Sequence, residues 1–362
     1  MKVFGIGLVE YLVLEKPSDF ITIQIFRISK NVDSVKSFFI KDNDQAMLKL
    51  VGVLAFQNLW KADSTVFIKH DLEIRKGWTF EEELAVAGGE YNGKLAILLN
   101  CLWFIKDNSV FCRSIYLRND GTPYCVINTS HTTPSNSLGE HAPVTFSQVE
   151  LNHLVNIFNA VIKYFSYDTT NNYLGVPELK KPDTLRISFP AKINYIPYDK
   201  RLQRMRKALL YLHHARDSAL LPQKISYYVI ILETLFTTNL AGENVKQNLS
   251  YRTAFYTEQN EDSIYLVYKR VLESYGIRSQ YLHGKSLDSS KAEIQNLRII
   301  STNMDNIVRK ALKKALILDE NKFEMTTQER FNWLNALVIF NFKTGSEQVK
   351  IEPQSFFING KL

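Results

Sequence analysis

The sequence predicts an α+β protein in which a β-rich N-terminal domain, sandwich-like or barrel-like, precedes an all-α C-terminal helical bundle. The chain has 362 residues, enough for two domains of roughly 150 residues each. Hydrophobic residues make up 45% of the chain and charged residues 22%, which is typical of a folded globular protein. The apolar period changes from two to about 3.6 near residue 198, so the predicted boundary between the two classes lies there.

Composition divides the chain into four predicted segments. The β-rich domain covers 1–145, and a bridging helix with an irregular connector covers 146–198. The helical domain covers 199–345, and a tail covers 346–362. Prolines at 177, 182, 190 and 197 mark the connector, because proline interrupts both helices and central strands.

Alternating apolar residues predict strands in the first segment. Residues 20–28 alternate with period two, and the pattern predicts one continuous strand. Residues 109–117 and 124–127 flank the turn signal Asn119-Asp120-Gly121, which predicts a hairpin. A second hairpin is expected at Asn92-Gly93. On that interpretation the GxxxxGK stretch at 88–94 is not a phosphate loop, since Leu95 stands where Ser or Thr is needed.

Capping boxes and helical spacing predict the helices. Ser147 and Glu150 form a capping box before the apolar positions 151, 154, 155, 158 and 161 or 162. After residue 198 nearly the whole chain is predicted helical. The expected helices cover 201–221, 222–236, 244–256, 261–274, 290–317 and 326–339.

Cysteine and histidine spacing predicts neither disulfides nor a metal site. Cys101, Cys112 and Cys125 are odd in number and contain no CxxC pair, which favours a reducing cytoplasm. The histidines have no neighbours at ligand spacing, so no metal and no cofactor are expected. The longest apolar run, 95–105, is far shorter than the ~20 residues of a spanning helix, and no membrane partner is predicted.

The net charge of +7 belongs to the C-terminal half. Residues 199–362 contain 24 basic and 17 acidic side chains, whereas residues 1–198 contain 20 of each. Arg309, Lys310, Lys313 and Lys314 recur at helical spacing. This basic stripe could follow a phosphate backbone or form a solvated face.

One stretch of the helical half carries residues suited to chemistry. Tyr275–Lys285 reads YGIRSQYLHGK, with Arg278 and His283 five residues apart. On a helix these side chains lie ~140° apart, so they could flank one phosphate or face the same element of a second chain. An imidazole can move the proton of a ribose 2′-OH, and a guanidinium can neutralise the phosphate. Alternatively, Arg278 forms an ion pair and His283-Gly284 caps a helix.

Glu233 is the second feature of this half. Its helical neighbours include Val229, Ile230 and Phe236, so the carboxylate lies on a mostly apolar face and needs a partner. The expected partner is Arg252. The pair could clamp two helices or contact substrate.

Three blocks in order resemble the HEPN superfamily, specifically its Apea-like branch of prokaryotic defence proteins. They are LETLF at 232–236, LSYRTA at 249–254 and YGIRSQYLHG at 275–284. The likeness covers about residues 200–320. Arg278 and His283 match the hallmark pair. Ser279 fills the slot after the arginine, where the family often has Asn, Asp or His. Glu233, Arg252, Ser279 and Tyr281 are the expected supporting residues, and Lys285 joins the basic stripe as a possible RNA contact.

The resemblance implies a dimeric bundle whose two motifs share one cleft and, in active members, a metal-independent endoribonuclease. Many members cleave RNA in toxin or abortive-infection systems, while others are inactive binding modules. It also implies that residues 1–145 sense a phage-derived or cellular trigger. A third hypothesis makes the strand half a carbohydrate- or peptide-binding sandwich with exposed Trp60, Trp78 and Trp103.

Overall fold

The computed structural model describes residues 1–30, 51–119, 125–129, 133–165, 203–238, 244–287 and 292–344. The chain forms two compact units. One, the strand unit, contains residues 1–134 and 141–198, and the other, the helical unit, contains residues 135–140 and 199–362. The α+β class is confirmed. The predicted turn at 120–121, the proline-rich connector from 166 onward and the tail at 346–362 lie outside the described residues.

The strand unit is built on a six-stranded antiparallel sheet. Its strands are β1 (Lys2–Glu10), β3 (Phe20–Ile23), β4 (Phe26–Ser29), β5 (Ser64–Asp71), β6 (Phe111–Asn119) and β7 (Cys125–Thr129). They lie in the order β3-β4-β5-β1-β6-β7. Two further strands, β2 (Leu12–Leu14) and β8 (Val144–Phe146), pair in parallel. Within the described residues the main sheet is open and is covered by helices, so the sandwich or barrel expectation is wrong.

The central strand β1 shows how the sheet is packed. Phe4, Ile6 and Leu8 alternate along it and pack against Leu59 of helix α1 (Val53–Lys61). Gly5 faces the opposite way, and a Cβ there would lie 2.5 Å from the side chain of Leu117. A side chain at position 5 would therefore force Leu117 of β6 to move.

Residues 80–101 correct the predicted hairpin at 92–93. They form helix α2 (Phe80–Cys101), which packs along β6 and β7. Thr79 and Glu82 close a capping box at its start. Leu84, Tyr91 and Leu95 are buried at helical spacing, and their burial outweighs the poor helix propensity of the glycines between them.

The other predictions in the strand unit are mixed. The β6–β7 hairpin is confirmed. Residues 20–28, however, form the two strands β3 and β4, because the chain turns at Gln24, whose φ is +52°. Trp103 is only 1% exposed and belongs to the core, and Trp78 lies under the guanidinium of Arg75. Neither of these two tryptophans supports the exposed-tryptophan hypothesis, and the side chain of Trp60 lies outside the part of the chain that the structure describes.

The helix predicted after Ser147 is present as two short helices, α3 (Gln148–Asn152) and α4 (Leu154–Ile162), with the expected capping box. Helix α4 packs on α2. Leu151, Leu154 and Phe158 are buried as predicted. Val155 is exposed, and Ile157 is buried in its place.

The helical unit contains seven helices in its described residues. They are α5 (Gln203–Asp217), α6 (Leu221–Phe236), α7 (Val245–Thr257), α8 (Glu261–Leu282), α9 (Ile294–Ile317), α10 (Glu320–Phe323) and α11 (Thr327–Thr344). Helix α6 is central and contacts α5, α7, α8 and α9. Pro222 lies in its first turn, where proline's missing N–H costs nothing. Each predicted helix of this half is present, but α5 ends at Asp217 and not at Leu221, which begins α6, and α8 is longer than expected.

Candidate functional site

Helix α8 carries the predicted Arg–His motif. The expected end at residue 274 is wrong, because the helix continues without a break to Leu282. Gly276 therefore lies inside the helix and does not bracket a separate piece. A Cβ at Gly276 would meet no atom within 4 Å, so nothing in the described residues requires a glycine there.

His283 is the C-cap residue of α8 and is exposed. Gly284 follows with a φ of +66°. The N–H of Gly284 donates to the carbonyl of Tyr281 at 3.2 Å, and the N–H of Lys285 donates to the carbonyl of Gln280 at 2.9 Å. These two bonds form a Schellman motif. The motif ends the helix sharply and leaves the imidazole at the helix terminus.

Arg278 is held by Glu233. Its Nη2 donates to Oε2 of Glu233 at 3.1 Å, which joins α8 to the last turn of α6. The side chains are 24% and 17% exposed, respectively. The guanidinium carbon also lies 5.6 Å from the centre of the Tyr275 ring. Carboxylate and ring together fix the direction of the guanidinium.

The electrostatics of this pair are set mainly by burial. Desolvation raises the pKa of Glu233 above the ordinary carboxyl value, and the charge and hydrogen bond of Arg278 partly counteract that rise. Among the described residues, Nε of Arg278 has no hydrogen-bond partner. The desolvation cost of such a mostly buried pair offsets much of its Coulombic attraction.

Arg252 is not the partner of Glu233, and that prediction is wrong. Arg252 is 2% exposed. Its Nη1 donates to the carbonyl of Phe236 at 2.9 Å, and its Nη2 donates to Oδ1 of Asn335 at 2.9 Å. Arg252 thus links α7 to the end of α6 and to α11. The clamp between helices exists, but it is made with a carbonyl and an amide.

The remaining motif residues surround the end of α8. The N–H of His283 donates to the carbonyl of Ser279 at 3.2 Å. Ser279 and Tyr281 are half-buried, and Lys285 is exposed. The backbone of these residues builds the cap, and Lys285 follows His283 by two residues in the sequence.

The basic stripe of α9 is largely engaged within the chain. Arg309 pairs with the buried Asp305 one turn away. Lys310 pairs with Glu258 at 2.7 Å. Lys314 donates to the carbonyl of Tyr256 at 2.9 Å and lies 4.4 Å from the centre of its ring. Lys313 is exposed. These contacts favour the solvated-face alternative for most of the stripe.

The sequence prediction missed a buried polar group beside the stripe. Asp305 is 1% exposed and accepts a hydrogen bond at 2.8 Å from the hydroxyl of Tyr228, which is also 1% exposed. With Arg309 these residues join α6 to α9. The i, i+4 spacing of Asp305 and Arg309 is the signal that could have indicated half of this network.

No family model, curated protein or solved structure matches the chain. The comparisons therefore leave the HEPN resemblance resting on the three sequence blocks. Within the residues that the structure describes, no group of three or more His, Cys, Asp or Glu side chains is arranged to hold a metal ion. Among the same residues no helix is long and apolar enough to cross a membrane.

Proposed function

We propose that the helical unit is a metal-independent endoribonuclease of the HEPN type, which cleaves single-stranded RNA. The observation that carries the proposal is the end of α8, where Glu233 orients Arg278 and a sharp helix end leaves His283 exposed. An aligned guanidinium and an accessible imidazole are the two groups that RNA cleavage without a metal needs.

The proposed reaction starts when a base removes the proton of a ribose 2′-OH. The 2′ oxygen then attacks the adjacent phosphorus, and the bond from phosphorus to the 5′ oxygen breaks. The 5′ oxygen takes a proton, so the products are a 2′,3′-cyclic phosphate and a 5′-hydroxyl. His283 supplies or removes a proton in these steps, and Arg278 stabilises the charge on the phosphate. DNA lacks the 2′-OH and is not a substrate.

The active form in this proposal is a homodimer in which two motifs share one cleft. Tyr265, Leu266 and Leu282 of α8 are 46–55% exposed, and the space outside Gly276 is open. A second helix could approach closely at such a position. Sedimentation of wild type and Gly276→Arg tests this. A dimer in the wild type and a monomer in the variant are expected, and a monomeric wild type would contradict the shared cleft.

The proposed setting is the cytoplasm, in antiviral defence by abortive infection or in toxin action. The strand unit then senses a phage-derived or cellular trigger. The buried free thiols Cys101 and Cys112 are consistent with a reducing compartment. No cofactor or metal is part of this mechanism.

The decisive experiment is incubation of single-stranded RNA with the full chain in EDTA. Replacing His283 by alanine removes acid–base help worth about 10²–10⁴-fold in rate. His153→Ala is the matched control, because His153 is also an exposed histidine at a helix C-cap. We expect the control to cleave as fast as wild type. Absence of cleavage by wild type, or undiminished cleavage by His283→Ala, would overturn the proposal.

A non-catalytic module that binds RNA, nucleotide or protein is the second candidate. It is favoured by the ion pair itself, because one nitrogen of Arg278 is already engaged by Glu233. This candidate predicts RNA binding that survives His283→Ala and yields no products at any protein concentration. Binding that depends on phosphate contacts should weaken steeply as salt is raised.

A further inference from the structure

Residues 135–140 form a closed loop that keeps its own shape. Oδ1 of Asn136 accepts hydrogen bonds from the N–H groups of Leu138 and Glu140, both at 3.0 Å. The N–H of Asn136 donates to the carbonyl of Glu140 at 2.9 Å, and the N–H of Gly139 donates to the backbone carbonyl of Asn136 at 3.0 Å. The loop therefore presents a preformed surface.

This loop caps the C-terminal end of α5. The N–H and Oγ of Ser135 both donate to the carbonyl of Arg216, at 2.7 and 2.9 Å, and Oγ also lies 2.9 Å from the carbonyl of Ser218. Ser135 is 3% exposed. Carbonyls at a helix end need such donors, so a residue far away in sequence completes the α5–α6 connection.

The same loop is fastened to the start of α9. Oγ of Ser301 donates to the carbonyl of Ser137 at 2.5 Å, in a buried bond. Oγ of Ser137 lies 3.2 Å from Oγ1 of Thr302. Glu140 pairs with Arg298 at 2.7 Å. Polar contacts thus hold both ends of the loop.

The position of this loop against Ala219 requires a glycine at residue 139. Its φ is +76°, and a Cβ at this position would lie 2.3 Å from the carbonyl oxygen of Ala219. That distance is far below van der Waals contact, and the clashing atom belongs to the backbone. A side chain at position 139 therefore cannot be accommodated while the loop keeps this position against Ala219.

The residues that follow the loop are fixed in the strand unit. Oγ of Ser109 accepts from the N–H of Ala142 at 3.0 Å and donates to its carbonyl at 3.2 Å. The ring of His141 stacks on Tyr11 at 5.6 Å. The last contact in the helical unit is made by Glu140 and the first in the strand unit by His141, so the two sets of contacts fall on neighbouring residues of the chain.

We infer that residues 135–142 form a strap that transmits a change in the strand unit to the α5–α6 connection and the start of α9. The inference does not depend on RNA cleavage. It requires only that loosening one end of the strap loosens the contacts at its other end. The strap is thus a regulatory device through which the strand unit acts on the helical unit.

Amide hydrogen exchange on the full chain first tests whether the loop is held against Ala219 as described. Gly139→Val should displace the loop and speed exchange in 216–221 and 298–302 by about 10–100-fold, whereas helix α7 should keep its protection. Gly77→Val is the matched control. Gly77 also has a left-handed φ, +82°, but a Cβ there meets no atom within 4 Å. Equal exchange rates of these segments in the two variants would contradict the described position of the loop and overturn the inference.

Ser109→Ala tests transmission from the other end. It removes both side-chain bonds to Ala142 in the strand unit, and we expect several-fold faster exchange in 216–221 and 298–302 of the helical unit. Helix α7 again serves as the internal reference for global unfolding. Unchanged exchange in the two segments, or equal acceleration in α7, would overturn the transmission.

Discussion

The ion pair between α6 and α8 gives a quantitative test of the site. In Arg278→Gln the carboxylate of Glu233 loses its counter-charge while it stays mostly buried. Removing one partner of a fully buried pair costs about 3–5 kcal/mol, and a surface pair contributes about 0.2–1 kcal/mol. The two side chains are 24% and 17% exposed, which lies between these limits. We therefore expect the free energy of unfolding to fall by about 2 kcal/mol.

The double variant Glu233→Gln/Arg278→Gln sharpens this expectation. Burial raises the pKa of Glu233, so the ionised carboxylate is itself unfavourable in the fold. Neutralising both positions should return the free energy of unfolding to within about 1 kcal/mol of wild type. Urea unfolding followed by circular dichroism measures all four members of the cycle.

The stability lost in Arg278→Gln is expected to depend on pH. Loss of the guanidinium raises the folded-state pKa of Glu233 further, because Arg278 is the group that lowers it. The deficit is therefore full above that folded pKa and disappears as the pH falls through it, where the protonated carboxyl needs no cation. A deficit under about 0.5 kcal/mol at about pH 7.5, or one that does not shrink as the pH is lowered through the acidic range, would refute the reasoning.

Three further outcomes follow from single contacts. Gly284→Ala places a side chain at a left-handed φ and should lower stability by about 1 kcal/mol in thermal melts, and an unchanged melting temperature would contradict the cap. Tyr228→Phe removes a buried bond to a carboxylate and should cost about 1.5–3 kcal/mol in urea, with a smaller loss arguing against that bond. Burial raises the pKa of Cys112 to about 12, so in a Cys101→Ser, Cys125→Ser background its thiol should react with DTNB only as fast as the chain opens. Immediate reaction would show an accessible thiol.

Local patterns predicted the helical unit well because its helices have clear apolar stripes. Met205, Leu209 and Leu212 are buried on α5 as their spacing indicates. Helix α2 was missed because Asn92 and Gly93 favour turns, and their preference is overridden by tertiary packing of residues on either side. The capping box at Thr79 was the available signal.

Contacts between residues that are distant in the sequence were the other feature that the sequence could not predict. Spacing cannot decide whether Glu233 meets Arg252 or Arg278, because both arginines lie on helices that contact α6. The position of loop 135–140 could not be predicted from spacing either, since Ser301, which donates a hydrogen bond to Ser137, is 164 residues away. Long-range contacts of this type depend on the whole packing and leave no local pattern.

That separation has a consequence for the order in which the protein forms on the ribosome. Residues 135–140 emerge before any helix of the unit to which they belong, and Ser301 is synthesised 164 residues after Ser137. At about 5–20 residues per second, the loop waits roughly 8–30 s for its second anchor. During that interval the N-terminal portion can complete its own sheet, but the helical portion cannot close. Synthesis thus imposes a sequence of events in which helix α9 completes a contact begun by the first half of the chain.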